Sequence, residues 1–217
     1  MSLFAATQSP SENILLTQKY RPQTLASFIG LDKPRRICER LAATPYDSAW
    51  LFVGESGLGK TTMALALADA LPAELHHIPS QDCTLDTLRS VLNDCAYYPR
   101  DGARKHLILV DEADQMSKAA QLYLLSKLDS TSMVPDTIWI FTCNTTAGLQ
   151  DRFLSRCQAV EFSSYGAAPK VATFLADVWS AEAPQGAAAP NFNRIAKEAT
   201  GDVRAALMTL QNELLLA

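Results

Sequence analysis

From Trp50 onward, short apolar runs alternate with stretches in which Leu and Ala recur every three or four residues. The runs are Trp50–Gly54, Leu75–Pro79, Leu107–Asp111, Ile138–Cys143 and Ala159–Phe162. They have the length of strands, and their unbroken apolarity suits strands buried on both faces. Helices are predicted between them at Lys60–Leu71, Leu85–Ala96 and Lys118–Leu128. Run, turn and amphipathic helix in repeated order predict an α/β fold, a five-stranded parallel sheet flanked by helices. Beyond residue 165 the text becomes Ala-rich and helical, with a break at Ala183–Pro190 and no strand-like run. This predicts an α/β domain over 1–165 and a small helical domain over 166–217. The small, polar leader, residues 1–13, is expected to be flexible.

Composition narrows the class. With 217 residues, 48% hydrophobic and 19% charged, the chain can bury a proper core, which excludes disordered and coiled-coil classes. No stretch approaches the ~20 apolar residues of a membrane span, and no secretory leader is visible, so a soluble, cytoplasmic protein without membrane partners is expected. Five scattered cysteines without a C-x-x-C pair read as free thiols in a reducing compartment. The net charge of −4 speaks against a wholly basic nucleic-acid coat but leaves room for a local basic face. Arg35 with Arg36, and Arg100, Arg104 and Lys105, form short basic runs that are either solvated surface or followers of a phosphate backbone. His76, His77 and His106 have no partner at metal-ligand spacing and read as core or surface residues. Tyr97 and Tyr98, before Pro99, either pack on the sheet edge or anchor a partner.

The chemistry is carried by Gly54-Glu-Ser-Gly-Leu-Gly-Lys-Thr61, directly after the first predicted strand and before a predicted helix. This is the context that G-x-x-x-x-G-K-[ST] requires for phosphate binding. Gly57 and Gly59 let the backbone around Leu58 curl so that its N–H groups, with the helix N-terminus at Lys60, Thr61 and Thr62, form a nest for phosphate oxygens. Lys60 adds a cation for the β- and γ-phosphates of ATP, and the Thr61 hydroxyl suits Mg²⁺. Leu107–Val110 then ends in Asp111-Glu112, where Asp111 supports the Mg²⁺ and Glu112 polarises a water for in-line attack. Asn144, at the end of another apolar run, would face the same crevice and help hold that water.

Together these residues resemble the AAA+ ATPases, and further motifs resemble the clamp-loader branch, the replication factor C small subunits and their bacterial and phage relatives. Lys19-Tyr20-Arg21-Pro22 followed by Leu25-x-x-Phe-Ile-Gly30 is similar to the opening of loader subunits, whose segment lies against the base and ribose. Gln121, after Met116-Ser117, falls where the family has a glutamine that couples DNA to the ATP site. Ser155-Arg156-Cys157 is similar to the element that supplies an arginine finger in trans to the neighbouring subunit; Arg152 is a rival outside the tripeptide. Gly201-Asp-Val-Arg204 is similar to the sensor on the helical lid, which implies that Arg204 touches the γ-phosphate. The helix before Tyr97 is one that family members direct at the clamp. The P-loop departs from the family's usual Gly-Pro-Pro-Gly-Thr-Gly.

The resemblance implies a DNA-dependent ATP hydrolase within a homo- or hetero-oligomeric ring of loader subunits. Such a ring opens a sliding clamp and places it on primer–template DNA. Loader subunits generally continue into a helical collar, whereas this sequence stops at Ala217; a minimal loader of this kind would be natural in a phage. The alternative is a nucleotide-gated AAA+ scaffold or helicase/recombination-loader switch with little turnover.

Overall fold

The computed structural model describes residues 15–129 and 131–217; the leader, 1–13, lies outside them. Five strands, β1 (Ser48–Val53), β2 (Ala73–Pro79), β3 (Lys105–Asp111), β4 (Thr137–Cys143) and β5 (Gln158–Glu161), form one parallel sheet in the order β2-β3-β4-β1-β5. In each strand alternate residues reach opposite faces. On one face Trp50, Phe52, Leu107, Leu109, Ile138 and Ile140 pack with α2 (Asp32–Ala43) and α3 (Lys60–Ala70). On the other, Leu51, Ile108, Val110, Trp139 and Phe141 pack with α4 (Leu85–Asp94), α5 (Lys118–Lys127) and α6 (Asp151–Leu154).

β4 is buried along its whole length and β1 and β3 nearly so, as their unbroken apolarity requires. β2 and β5 are edge strands with several partly or fully exposed positions, so burial on both faces holds only for the central three. α2 has no counterpart in the sequence reading. Its apolar positions, Pro34, Ile37, Cys38 and Leu41, do recur at helical spacing, but two adjacent arginines and a proline dilute the pattern. Pro34 is tolerated because it stands in the first turn, where its missing N–H has no intrahelical partner to lose.

The C-terminal segment holds α7 (Ala168–Glu182), α8 (Phe192–Glu198) and α9 (Val203–Leu216), with a core of its own around Val171, Leu175, Ile195, Leu207 and Leu210. The Pro/Gly/Ala break falls between α7 and α8. The short α1 (Leu16–Lys19) docks onto these helices: Leu16 is buried among them and its N–H donates to Gln211 Oε1 at 2.9 Å. Among the described residues, no helix is long and apolar enough to cross a membrane.

Candidate functional site

Because β4 lies between β1 and β3, the carboxyl ends of these three strands deliver the P-loop, Asn144 and Asp111 to one crevice, where ligands of open parallel sheets bind. Gly57 and Gly59 both adopt positive φ, +90° and +80°, a conformation costly for any residue with a Cβ. A Cβ on Gly57 would also lie 2.3 Å from Asp202 Oδ2. α3 starts immediately after Gly59, so its unpaired N–H groups and dipole face the loop.

Lys60 is buried at the base of this loop. Its Nζ donates to the carbonyls of Gly54 and Glu55 at 2.6 and 2.8 Å and to Asn144 Oδ1 at 3.0 Å. All three ammonium protons are therefore used, and burial holds the lysine below its ordinary range against the opposing pull of Asp111 and Asp114. Thr61 Oγ1 donates to Asp111 Oδ1 at 2.7 Å; Asp111 Oδ1 also accepts from the Thr142 hydroxyl. A hydroxyl beside a carboxylate is the hard oxygen set that Mg²⁺ prefers, so these two residues fit the ion. Glu112 is exposed and takes a left-handed conformation, φ +51°, while its N–H donates to Thr142 Oγ1 at 3.0 Å. Backbone strain at a non-glycine residue of this kind is characteristic of functional positions.

A cleft of about 810 Å³ opens over the P-loop, within the range of nucleotide-sized sites. One wall is Tyr20, Arg21 and Pro22; the floor is Gly57, Leu58, Gly59, Thr61, Thr62 and Asp111; Gly201 and Arg204 close it from the C-terminal helices. Arg21 Nε donates to Thr62 Oγ1 at 3.3 Å, joining wall to floor. Tyr20 is held from behind, its hydroxyl donating to Glu182 Oε1 at 2.5 Å and its ring edge-on to Phe174 at 5.9 Å. Burial, reinforced by Glu182, pushes its phenol up to about 12. Lys19 pairs with the same Glu182. Asp202 caps α9, its Oδ1 accepting from the N–H groups of Arg204 and Ala205.

Of the residues predicted for the site, Tyr20, Arg21, Pro22, Gly57, Leu58, Gly59, Thr61, Thr62, Asp111 and Arg204 line the cleft, and Lys60 and Asn144 are joined to each other at the base of the P-loop. Glu112 is not among the lining residues, and neither is Arg156. Its Nη1 donates to the Arg152 carbonyl at 2.8 Å, its Nη2 is 3.9 Å from Asp129 Oδ2, and its Nε is buried without a partner. Gln121 is buried and fully engaged: Nε2 donates to the Met116 and Gly148 carbonyls and Oε1 accepts from Gln150 N–H. It thereby ties the start of α5 to the segment running from Asn144 to α6. His77 Nε2 lies 3.9 Å from Asp111 Oδ2, a neighbour the sequence pattern did not reveal. Two basic positions are not free surface: Lys105 is clamped between Asp47 and Asp136 at 2.7 and 2.8 Å, and Arg35 pairs with Asp32 and Glu39. Tyr97 and Tyr98 do not pack on the sheet edge but are 77% and 94% exposed. All five cysteines are free.

Over 202 residues the chain is 31% identical to the replication factor C small subunit of Methanosphaera stadtmanae, covering 89% of this chain and 61% of that one. It is 28% identical to replication factor C subunit 2 of Arabidopsis thaliana, covering 89% and 60%. The chain therefore spans about three fifths of the length of these curated relatives. Among solved structures, the Thermotoga maritima RuvB Holliday junction branch migration motor superimposes with a TM-score of 0.70 at 20% identity, covering 88% of this chain and 64% of that one, which reflects a shared fold. Residues 50–165, more than half of the chain, match the ATPase family associated with various cellular activities (AAA). On that match, with the P-loop and the acidic end of β3 inside it, the chain belongs to the AAA family of ATPases.

Proposed function

We propose that this protein is an ATPase subunit of a sliding-clamp loader, using ATP binding and hydrolysis to open a polymerase clamp and set it on primer–template DNA. The observation that carries the reading is the cleft in which Tyr20–Pro22, the P-loop and Arg204 converge, while Arg156 stands outside it. The similarity to replication factor C small subunits along most of the chain supports the same reading.

In this reading residues 1–165 bind the nucleotide and 166–217 form a lid. Tyr20, Arg21 and Pro22 hold the base and ribose; the backbone of Gly57, Leu58 and Gly59, with Lys60 and Thr62, holds the phosphates. Thr61 and Asp111 hold Mg²⁺, which when bound supplies positive charge against the β- and γ-phosphate oxygens. Lys60 exchanges the Gly54 and Glu55 carbonyls for phosphate oxygens. Asn144 orients the attacking water and Glu112 accepts its proton as the bond from the γ-phosphorus to the departing ADP oxygen breaks. Arg204 reaches the γ-phosphate from the lid. Arg156, lacking a target in its own cleft, stabilises the transferring phosphate of the adjacent subunit, so the active form is a ring.

The test is steady-state ATPase with partner subunits, a sliding clamp and primed DNA. Stimulation by clamp and DNA together, with assembly into a ring of several copies on adding ATP·Mg²⁺, is the expected outcome. A rate indifferent to clamp and DNA with the partners present would overturn the loader assignment while leaving the ATPase intact.

A further inference from the structure

Two of the histidines that sequence spacing sets aside are brought together by the fold. Glu74 and His76 lie two residues apart on the edge strand β2, His106 is the second residue of the paired strand β3, and Cys95 caps the end of α4. His106 and Cys95 are buried and His76 is half-buried. One ligand atom from each of His76, Cys95 and His106 lies within 4.8 Å of the other two.

The hydrogen bonding fixes the tautomer. His106 Nε2 is 3.0 Å from the Tyr97 carbonyl oxygen. A carbonyl only accepts, so Nε2 carries the ring proton, and Nδ1 of the neutral ring is then a bare lone pair. That lone pair faces His76 Nε2 at 3.0 Å. A histidine whose one N–H is held by a backbone carbonyl, with the other nitrogen free, is oriented as metal-ligating histidines are. The Glu74 carboxylate lies 3.6 Å from the same Nδ1 and is steadied by the Arg100 N–H at 2.8 Å.

We propose that His76, Cys95 and His106 form a zinc site that ties β2 and β3 to the end of α4, with water in the fourth position. Two nitrogens bound at about 2.0 Å in a tetrahedron stand roughly 3.3 Å apart, close to the observed separation. A mixed sulfur and imidazole set selects zinc over Mg²⁺, which demands oxygen. Zinc binds a thiolate and neutral imidazoles. Binding therefore replaces the S–H bond with an S–Zn bond and releases that proton to solvent, which makes affinity fall in acid. The ion would also fix the loop presenting Tyr97 and Tyr98, since the Tyr97 carbonyl is the partner that orients His106. The site shares no residue with the nucleotide cleft and stands apart from the loader reading.

The competing explanation is a hydrogen bond from His76 Nε2–H to His106 Nδ1 with no ion. The full chain, reduced and freed of metal, is titrated with Co²⁺ and then Zn²⁺ while optical spectra and thermal melting are followed. One Co²⁺ per chain with a thiolate-to-cobalt charge-transfer band, displaced by Zn²⁺ and accompanied by a rise in Tm, is expected. Cys95→Ser should abolish the band and the Tm response and weaken Zn²⁺ binding by about 100-fold or more. Cys83→Ser, which removes another buried thiol, should retain them. His76→Gln, at the half-buried position, is the second variant if Cys95→Ser does not fold, and should weaken binding without removing the sulfur. Absence of the band in the wild type, or its survival in Cys95→Ser, would overturn the proposal in favour of the hydrogen-bonded pair.

Discussion

Asp202, the cap of α9, stands so close over Gly57 of the P-loop that a Cβ at Gly57 would meet Asp202 Oδ2 at 2.3 Å. The start of the last helix and the phosphate loop are thus in contact, and one substitution should disturb both. Gly57→Ala combines a disallowed φ of +90° with that clash, and is expected to destabilise the protein by about 2 kcal/mol or more and to abolish ATP binding. Asp202→Ala removes only the cap, costing about 1 kcal/mol, and should leave nucleotide affinity largely intact. Thermal melting and fluorescent-nucleotide titration of the two variants separate the effects.

Lys60 and Asn144 should part company in kinetics. Lys60→Ala is expected to lose nucleotide affinity, because it removes the ammonium buried at the base of the phosphate loop. Asn144→Ala should bind ATP within a few-fold of wild type yet turn over about 10- to 100-fold more slowly, since in the proposed mechanism it orients the attacking water rather than holding the ground-state phosphates. Equal loss of affinity in both would remove Asn144 from the reacting centre.

Glu112 is strained as well as exposed. Glu112→Gln should reduce turnover by about 100-fold or more while retaining ATP. Glu112→Asn should be equally inactive yet slightly more stable, by up to about 1 kcal/mol, because asparagine tolerates the φ of +51° better than glutamate. Urea unfolding of the three proteins checks the ordering.

Tyr20 gives the fold an alkaline weakness. Its folded pKa is raised to about 12 from 10.0, so the folded state keeps a proton that the unfolded state loses. Stability from this residue is complete below pH 10 and is lost as pH rises toward 12. Tyr20→Phe should be less stable near neutrality, since it lacks the bond to Glu182, and its deficit should shrink across that interval. The difference between the two urea curves isolates Tyr20 from the buried thiols, which weaken both proteins alike.

What was legible in the sequence was what local chemistry dictates. Gly57 and Gly59 announce a backbone only glycine enters without cost, and Asp111-Glu112 announces itself because acids at the end of a buried strand need a reason. The central strands were legible for the same cause: Ile138–Cys143 has no polar face to give to solvent. The edge position of β2 was not, because edge or centre is decided by which strands pair, and β2 pairs only with β3. Nor was the meeting of His76, Cys95 and His106 legible, since it arises from strand register and from the return of the chain after α4. The exposure of Tyr97 and Tyr98 was undecided for the same kind of reason: aromatic character suits either packing or an anchoring role, and it is the loop after α4 that turns both rings outward.

Arg156 offers the sharpest test of assembly. Its guanidinium leans on the Arg152 carbonyl and approaches Asp129, outside its own cleft, with Nε unpaired, a resting arrangement that a phosphate from another subunit would improve. Arg156→Ala should therefore fold normally, bind ATP normally and lose about 10³-fold or more in turnover within the assembled ring. Glu112→Gln should be inactive for a different reason, in the subunit that owns the residue. Mixing the two inactive proteins before assembly then creates interfaces at which an intact Arg156 from the Glu112→Gln subunit meets an intact Glu112 in the Arg156→Ala subunit, and activity should return. Were Arg156 to act within its own chain, every chain in the mixture would still carry a defect, and the mixture would remain as inactive as its parts.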